Sequence, residues 1–308
     1  MNYYNEIKKE LRNNEIYKNV KDHSKNKNDL KTYYNVGKLI IEAQGGEERA
    51  KYGNGLIKEY SNRLTEELGK GYTTTNLKYM RQFYLFIEKG HAVNDQLTWT
   101  HYKQLLSLND TNKINYYIDI TINQKLGYRD LQRKIKSKEY ERLDDKTKEK
   151  LIAKEKNEIQ DFIKHPILIK NSNEYEEISE QILEQLILED MDNFLSELGD
   201  GFCYIGHQYK IKIQNIDNYI DILLFNYTYN AFVVVELKTR ELRKQDIGQT
   251  QVYMNYINEN IKKINQNNTI GIIICKRENE FILKYCSEPR IYETTYLLVS
   301  EDVVEYAT

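Results

Sequence analysis

Two neighbouring apolar runs constrain this chain most: "YIDILLFN" (219–226) and "AFVVVELK" (231–238), each with charge embedded where a strand should be dry. Both are strand-length, rich in β-branched residues, and joined by a short polar turn, so they predict two adjacent buried strands. A lone buried carboxylate costs several kcal/mol unless something compensates it. Asp221 and Glu236 both need such compensation. Lys238 lies two residues beyond Glu236, and side chains alternate along a strand, so the two share a face. One lysine offsets only part of the repulsion between two carboxylates.

A divalent cation would offset the rest. An all-oxygen donor set suits Mg²⁺, with Mn²⁺ as the alternative, and Mg²⁺ also binds substrate phosphates. A lysine beside an activated water completes the parts for metal-assisted hydrolysis of a phosphodiester. The triplet acid-x-Lys occurs four times in the chain, so only its setting is informative. The competing explanation is an exposed edge strand whose polar face carries Glu236 and Lys238 as an ion pair.

The flanking sequence predicts an α/β domain over 166–308. An amphipathic helix, "YEEISEQILEQLILEDMDNFLSELG", precedes the strands "FCYIGHQYKIKI", "YIDILLFN" and "AFVVVELK". A helix, "RKQDIGQTQVYMNYINENIKKI", and a strand, "TIGIIICK", follow, with shorter strands in "EFILKYC" and "TTYLLVS". The order helix, three strands, helix, strand implies a mixed sheet flanked by helices.

Residues 1–145 read as an all-α domain. "LKTYYNVGKLIIEAQ", "NGLIKEYSNRLTEELG" and "TTTNLKYMRQFYLFIEKG" carry apolar residues at helical spacing, the third with Leu77, Met80, Tyr84 and Ile87 inward. Residues 146–165 are charged and predict a linker helix ending before Pro166. Residues 1–150 hold 29 Lys and Arg against 21 Asp and Glu, while the rest holds 16 against 26. A basic half joined to an acidic half suggests two tasks. No apolar run approaches the ~18 residues of a membrane span. Three cysteines without metal-binding spacing and an N-terminus without an apolar signal region lead to the expectation of a cytoplasmic protein.

Asp221, fourteen residues, then Glu236-Leu237-Lys238 resembles the PD-(D/E)XK nuclease superfamily, with Ile220 standing where the name has proline. The resemblance implies a restriction-endonuclease-like αβββαβ core and a metal-dependent endonuclease, DNA being its expected substrate. It gives Asp221, Glu236 and the Leu237 carbonyl as metal ligands, and Lys238 as the group that positions the attacking water. Glu184, chosen over Glu180 and Glu189 on the first helix, would assist. Gln249 and Tyr253 match a Gln-x-x-x-Tyr pattern of RecB-like members; Gln249 would brace the site and Tyr253 pack beneath it. Longer stretches, among them "RAKYGNGLIKEYSNRLTEELGKGYTTTNLKYMRQFY" and "FLSELGDGFCYIGHQY", resemble the bacterial YhcG-type two-domain proteins, whose helical N-terminal part precedes a nuclease-like domain.

Within the basic half, Lys70, Lys78, Arg81, Arg129, Arg133, Lys134 and Lys136 are the candidate nucleic-acid contacts, because neutralised phosphates release counterions. A helical partner-docking or homo-oligomer module with solvated lysines is the alternative. Trp99 is expected in the core, and His91 and His101 lack ligand spacing. The reading set against the nuclease is a nucleic-acid-binding or assembly protein that keeps the fold without catalysis.

Overall fold

The computed structural model describes residues 3–18, 25–46, 54–90, 93–156, 158–171, 173–175, 178–279, 281–282 and 288–300. Contacts group the chain into two compact units, 1–135 and 136–308.

Among its described residues the first unit is helical, as expected: α1 (Tyr3–Lys18), α2 (Lys25–Ala43), α3 (Asn54–Leu68), α4 (Thr74–Glu88), α5 (Trp99–Leu105), α6 (Thr111–Asn123) and α7 (Tyr128–Lys136). Threonine and aspartate caps set two of the starts. The Thr73 hydroxyl accepts from the Asn76 amide at 3.2 Å, and Asp110 accepts from the Asn112 amide at 2.8 Å. Tyr4, Ile7 and Leu11 of α1 meet Val36 and Ile40 of α2, Ile57 and Leu64 of α3, and Leu77 and Met80 of α4 in one core. A Cβ on Gly37 would lie 2.1 Å from the Met80 carbonyl oxygen, so only glycine lets α2 and α4 approach this closely. The inward stripe of α4 is Leu77, Met80, Phe83 and Phe86 rather than one ending in Tyr84 and Ile87. Tyr84 turns instead toward Tyr34, ring centroids 5.2 Å apart. Trp99 packs on Tyr33 and Phe83 in this core, and His91 lies outside the described residues.

The second unit holds α8 (Asp145–Ala153), β1 (Ile167–Lys170), α9 (Glu180–Glu189), α10 (Met191–Leu198), β2 (Phe202–Ile213), β3 (Ile216–Asn226), β4 (Ala231–Glu241), α11 (Lys244–Asn260), β5 (Ile270–Arg277) and β6 (Ile291–Val299). Six strands form one mixed sheet in the order β1-β6-β5-β4-β3-β2. β2, β3 and β4 are an antiparallel meander, and β4, β5, β6 and β1 run parallel. This is the expected αβββαβ order with strands added at one edge. One face of the sheet, with Ile222, Val233, Val235 and Leu237, is covered by α9 and α10 through Leu183, Leu186, Ile187 and Phe194. The other, with Leu223, Val234 and Ile273, is covered by α11 through Tyr253, Met254 and Ile257. Burial on both faces explains why these strands read as unbroken apolar runs.

Three details differ from expectation. The helix expected over "YEEISEQILEQLILEDMDNFLSELG" breaks at Asp190 (φ −133°, ψ 57°) into α9 and α10. β1 joins the edge of the sheet through four residues too short to show a period. Of the strand expected in "EFILKYC", Phe281 and Ile282 are helical; the rest lies outside the described residues.

Candidate active site

The site forms where the meander comes apart. β3 and β4 pair from Asn226 opposite Ala231 to Ile222 opposite Val235, and the next residues are Asp221 and Glu236. There the Leu237 amide donates to Asp221 Oδ2 at 2.8 Å, so a carboxylate takes the place of a strand partner. β5 continues beside β4, Glu236 opposite Ile273 and Lys238 opposite Cys275.

Glu236 is 1% exposed. Its Oε2 accepts from Gln249 Nε2 at 3.1 Å and from Lys238 Nζ at 3.4 Å, while Oε1 is buried with no partner. Burial, and next the nearby Asp221 charge, push the Glu236 carboxyl up to about 8, against the pull of Lys238. Lys238 Nζ donates to the Leu237 carbonyl at 2.9 Å and lies 3.9 Å from Asp221 Oδ2 and 3.8 Å from Glu180 Oε2. Burial draws its ammonium down, but Glu236, Asp221 and Glu180 together hold it above its ordinary value.

The flanking helices supply the rest. Glu184 on α9 is 8% exposed; its Oε2 accepts from Gln208 Nε2 at 2.8 Å and its Oε1 is buried without a partner. Burial raises its carboxyl, the Gln208 bond lowers it, and the Asp221 charge raises it again, for a net rise. Glu180 has a half-exposed side chain, and Glu189 accepts from Gln185 away from this cluster. On α11, Gln249 also donates to the Tyr253 hydroxyl at 3.0 Å, and Tyr253 is buried in the core beneath. α11 is pinned at its start: Arg240 grips Asp246 with two bonds of 2.8 and 2.7 Å, and the Arg243 amide adds a third at 2.8 Å. Burial works against the charged form of Asp246, but these bonds hold its carboxyl below the usual range.

The structure therefore brings together Glu184, Asp221, Glu236, Lys238, Gln249 and Tyr253. Sequence reasoning missed Gln208 and the Arg240–Asp246 clamp. Gly206 inside a strand was the available signal for the first, since glycine there marks a bulge, and the β2–β3 register does shift between Tyr204 and Gly206. The clamp carries no periodic signal.

The buried, unpartnered Glu236 Oε1 beside Asp221 fits a divalent cation, because removing it from water without a donor is otherwise unfavourable. Among the described residues no group of three His, Cys, Asp or Glu side chains forms a ready-made metal cluster. The oxygens gathered here are those of the Asp221 and Glu236 carboxylates, with Glu184 on the adjoining helix, while the Leu237 carbonyl accepts from Lys238 Nζ.

The candidate nucleic-acid contacts of the helical unit differ in exposure. Lys70, Lys78, Arg129 and Arg133 are exposed and Lys134 is half-buried, with Arg133 paired to Asp130. Arg81 is also half-buried, donates to Gln44 at 3.4 Å, and burial draws its guanidinium down. No helix among the described residues is long and apolar enough to cross a membrane.

A family model described as the YhcG PDDEXK nuclease domain matches residues 160–302, and one described as the DUF1016 N-terminal domain matches residues 6–142. A protein of Escherichia coli (strain K12) named "Putative nuclease YhcG" is 28% identical, covering 79% of this chain and 76% of that one. Among solved structures, a repair endonuclease from Pyrococcus abyssi is 21% identical with a TM-score of 0.28, covering 41% of this chain and 49% of that one. An EndoMS–dsDNA complex is 17% identical with a TM-score of 0.28, covering 42% and 49%. The match thus spans about half the length of these two structures.

Proposed function

The chain joins a DUF1016 N-terminal domain to a YhcG-type PDDEXK nuclease domain, and from this premise we propose that it is a divalent-metal-dependent endonuclease acting on DNA. The observation that carries the proposal is Glu236 Oε1, buried without a partner one strand from Asp221. In this reading Asp221, Glu236 and the Leu237 carbonyl hold the cation. When bound, Mg²⁺ or Mn²⁺ supplies Lewis-acid polarisation of the phosphate and lowers the pKa of water.

The side chains do the rest. Lys238, charged and anchored on the Leu237 carbonyl, orients the attacking water and stabilises negative charge building on the phosphate. Gln249 fixes the Glu236 carboxylate, and Tyr253 seats Gln249. Glu184 offers its free oxygen to the cation, directly or through water. The Arg240–Asp246 clamp holds the helix that carries Gln249. The basic helical half, through Lys70, Lys78 and Arg129, contributes phosphate contacts whose affinity falls with salt.

The test is cleavage of circular and linear DNA, and of RNA, with Mg²⁺, Mn²⁺ or chelator. Nicking or cutting of DNA that needs the cation and disappears in Asp221→Ala supports the reading. Asp221→Ala that cleaves as well as wild type overturns the mechanism, and cleavage of RNA alone overturns the substrate. Metal-independent binding without cleavage of any substrate would instead favour a binding protein on this fold.

A further inference from the structure

The two buried glutamates of the site are held alike. Glu236 gives Oε2 to the Gln249 amide and keeps Oε1 free; Glu184 gives Oε2 to the Gln208 amide and keeps Oε1 free. A glutamine amide can only donate to a carboxylate, so each bond fixes one oxygen and leaves the lone pairs of the other available. Gln208 is therefore to Glu184 what Gln249 is to Glu236, although it comes from a strand and lies in no motif.

Its position is equally specific. On β2, His207 pairs with Ile222 and Tyr209 with Ile220, which sets Gln208 across from Asp221. Gln208 has φ 43°, in the left-handed region that residues with a Cβ rarely occupy. A glycine would take this conformation without strain, yet the position carries a long amide that ends on a buried carboxylate. Strained non-glycine residues concentrate at functional sites, where surrounding structure over-determines them.

We propose that Gln208 is a positioning residue: its amide fixes Glu184 near Asp221 so that the free oxygen supports the cation held by Asp221 and Glu236, directly or through water, and so tunes the affinity for it. This rests on Asp221 and Glu236 forming the cation site. Donors that orient metal-site carboxylates typically change affinity by roughly 10–100-fold when removed.

Calorimetric titration of the full chain with Mn²⁺ alone tests it. Gln208→Gly keeps the left-handed backbone and deletes the amide, so it should fold, the relieved backbone strain offsetting part of the lost bond to Glu184. It should bind Mn²⁺ about 10-fold more weakly. Glu184→Ala should weaken binding too, and the double variant should add nothing to Glu184→Ala, since Gln208 acts through Glu184. Gln208→Gly binding like wild type, or effects that add in the double variant, would overturn the role of Gln208 while leaving the cation site intact. If Asp221→Ala binds Mn²⁺ like wild type, or wild type binds none, the cation site itself falls and this inference with it.

Discussion

Two regions of the second unit bury charge, and they do so in opposite ways. Beside β1, Arg142 and Glu197 are 5% and 6% exposed, and every oxygen of the glutamate is occupied. Arg142 grips both oxygens, one at 3.0 Å, and the Leu168 amide donates to Oε2 at 2.9 Å. The guanidinium also reaches the Pro166 and Ser137 carbonyls, at 2.8 and 3.0 Å. Lys164 pairs with buried Glu139 at 3.2 Å. At the end of β4, by contrast, Glu236 and Glu184 each keep a buried oxygen with no donor, and Asp221 adds more negative charge. Equal burial, different satisfaction: the first region uses charge as scaffold, and the second leaves charge for something outside the chain.

The comparison is broken most directly at Glu236. Glu236→Gln keeps shape and removes the charge, and cleavage should fall roughly 10⁴-fold, as when a group central to the chemistry is lost. Above pH 8, where the wild-type Glu236 carboxyl is ionised, the metal-free variant should be at least as stable as wild type in urea unfolding, because a neutral amide does not repel Asp221. Added Mn²⁺ should raise the melting temperature of wild type and leave that of the variant unchanged. A variant that is both inactive and markedly less stable would place Glu236 with the scaffold charges.

Arg142→Ala is the converse. It strands Glu197 in the interior, which costs about 3–5 kcal/mol because a buried charge loses its partner. Urea unfolding should show that loss, while Mn²⁺ affinity of the folded fraction stays at the wild-type value. Stability unchanged in Arg142→Ala would mean that the ion pair does not hold β1 in place.

The contrast also explains how far the sequence could be read. Asp221, Glu236 and Lys238 were legible because they interrupt apolar strands, and a carboxylate in such a run has few explanations. Glu197 and Arg142 sit in amphipathic or charged stretches, where they look like ordinary solvated residues, so their burial gave no warning. Glu184 was placed by its position on the first helix, but its partner Gln208 depends on a bulge and a left-handed residue that no period reveals. The break at Asp190 was hidden for a related reason: the apolar pattern of α9 runs on into α10.

Glu293 tests where the line between the two regions falls. It lies opposite Ile273, which lies opposite Glu236, so the two carboxylates occupy one row two strands apart. A cavity of about 840 Å³ opens beside it, also lined by His165, Glu278, Lys150 and Asp161. His165 pairs with Glu278 at 3.5 Å and Lys150 with Asp161 at 2.9 Å. Burial first, and then the Glu278 charge, push the Glu293 carboxyl from 4.5 up to about 7. The folded chain then keeps this proton up to pH near 7, whereas the unfolded chain releases it near 4.5. Its contribution is full below pH 4.5 and is lost as pH rises to about 7. Glu293→Gln removes that loss. Relative to wild type, urea unfolding should show no gain at pH 4 and a gain of about 1–2 kcal/mol at pH 8, the full shift being discounted for partial solvent exposure. Mn²⁺ affinity should not change, because Glu278 and His165, not Asp221, are its neighbours. A variant that binds Mn²⁺ more weakly would extend the cation site across the sheet and erase the separation between a satisfied edge and an unsatisfied end.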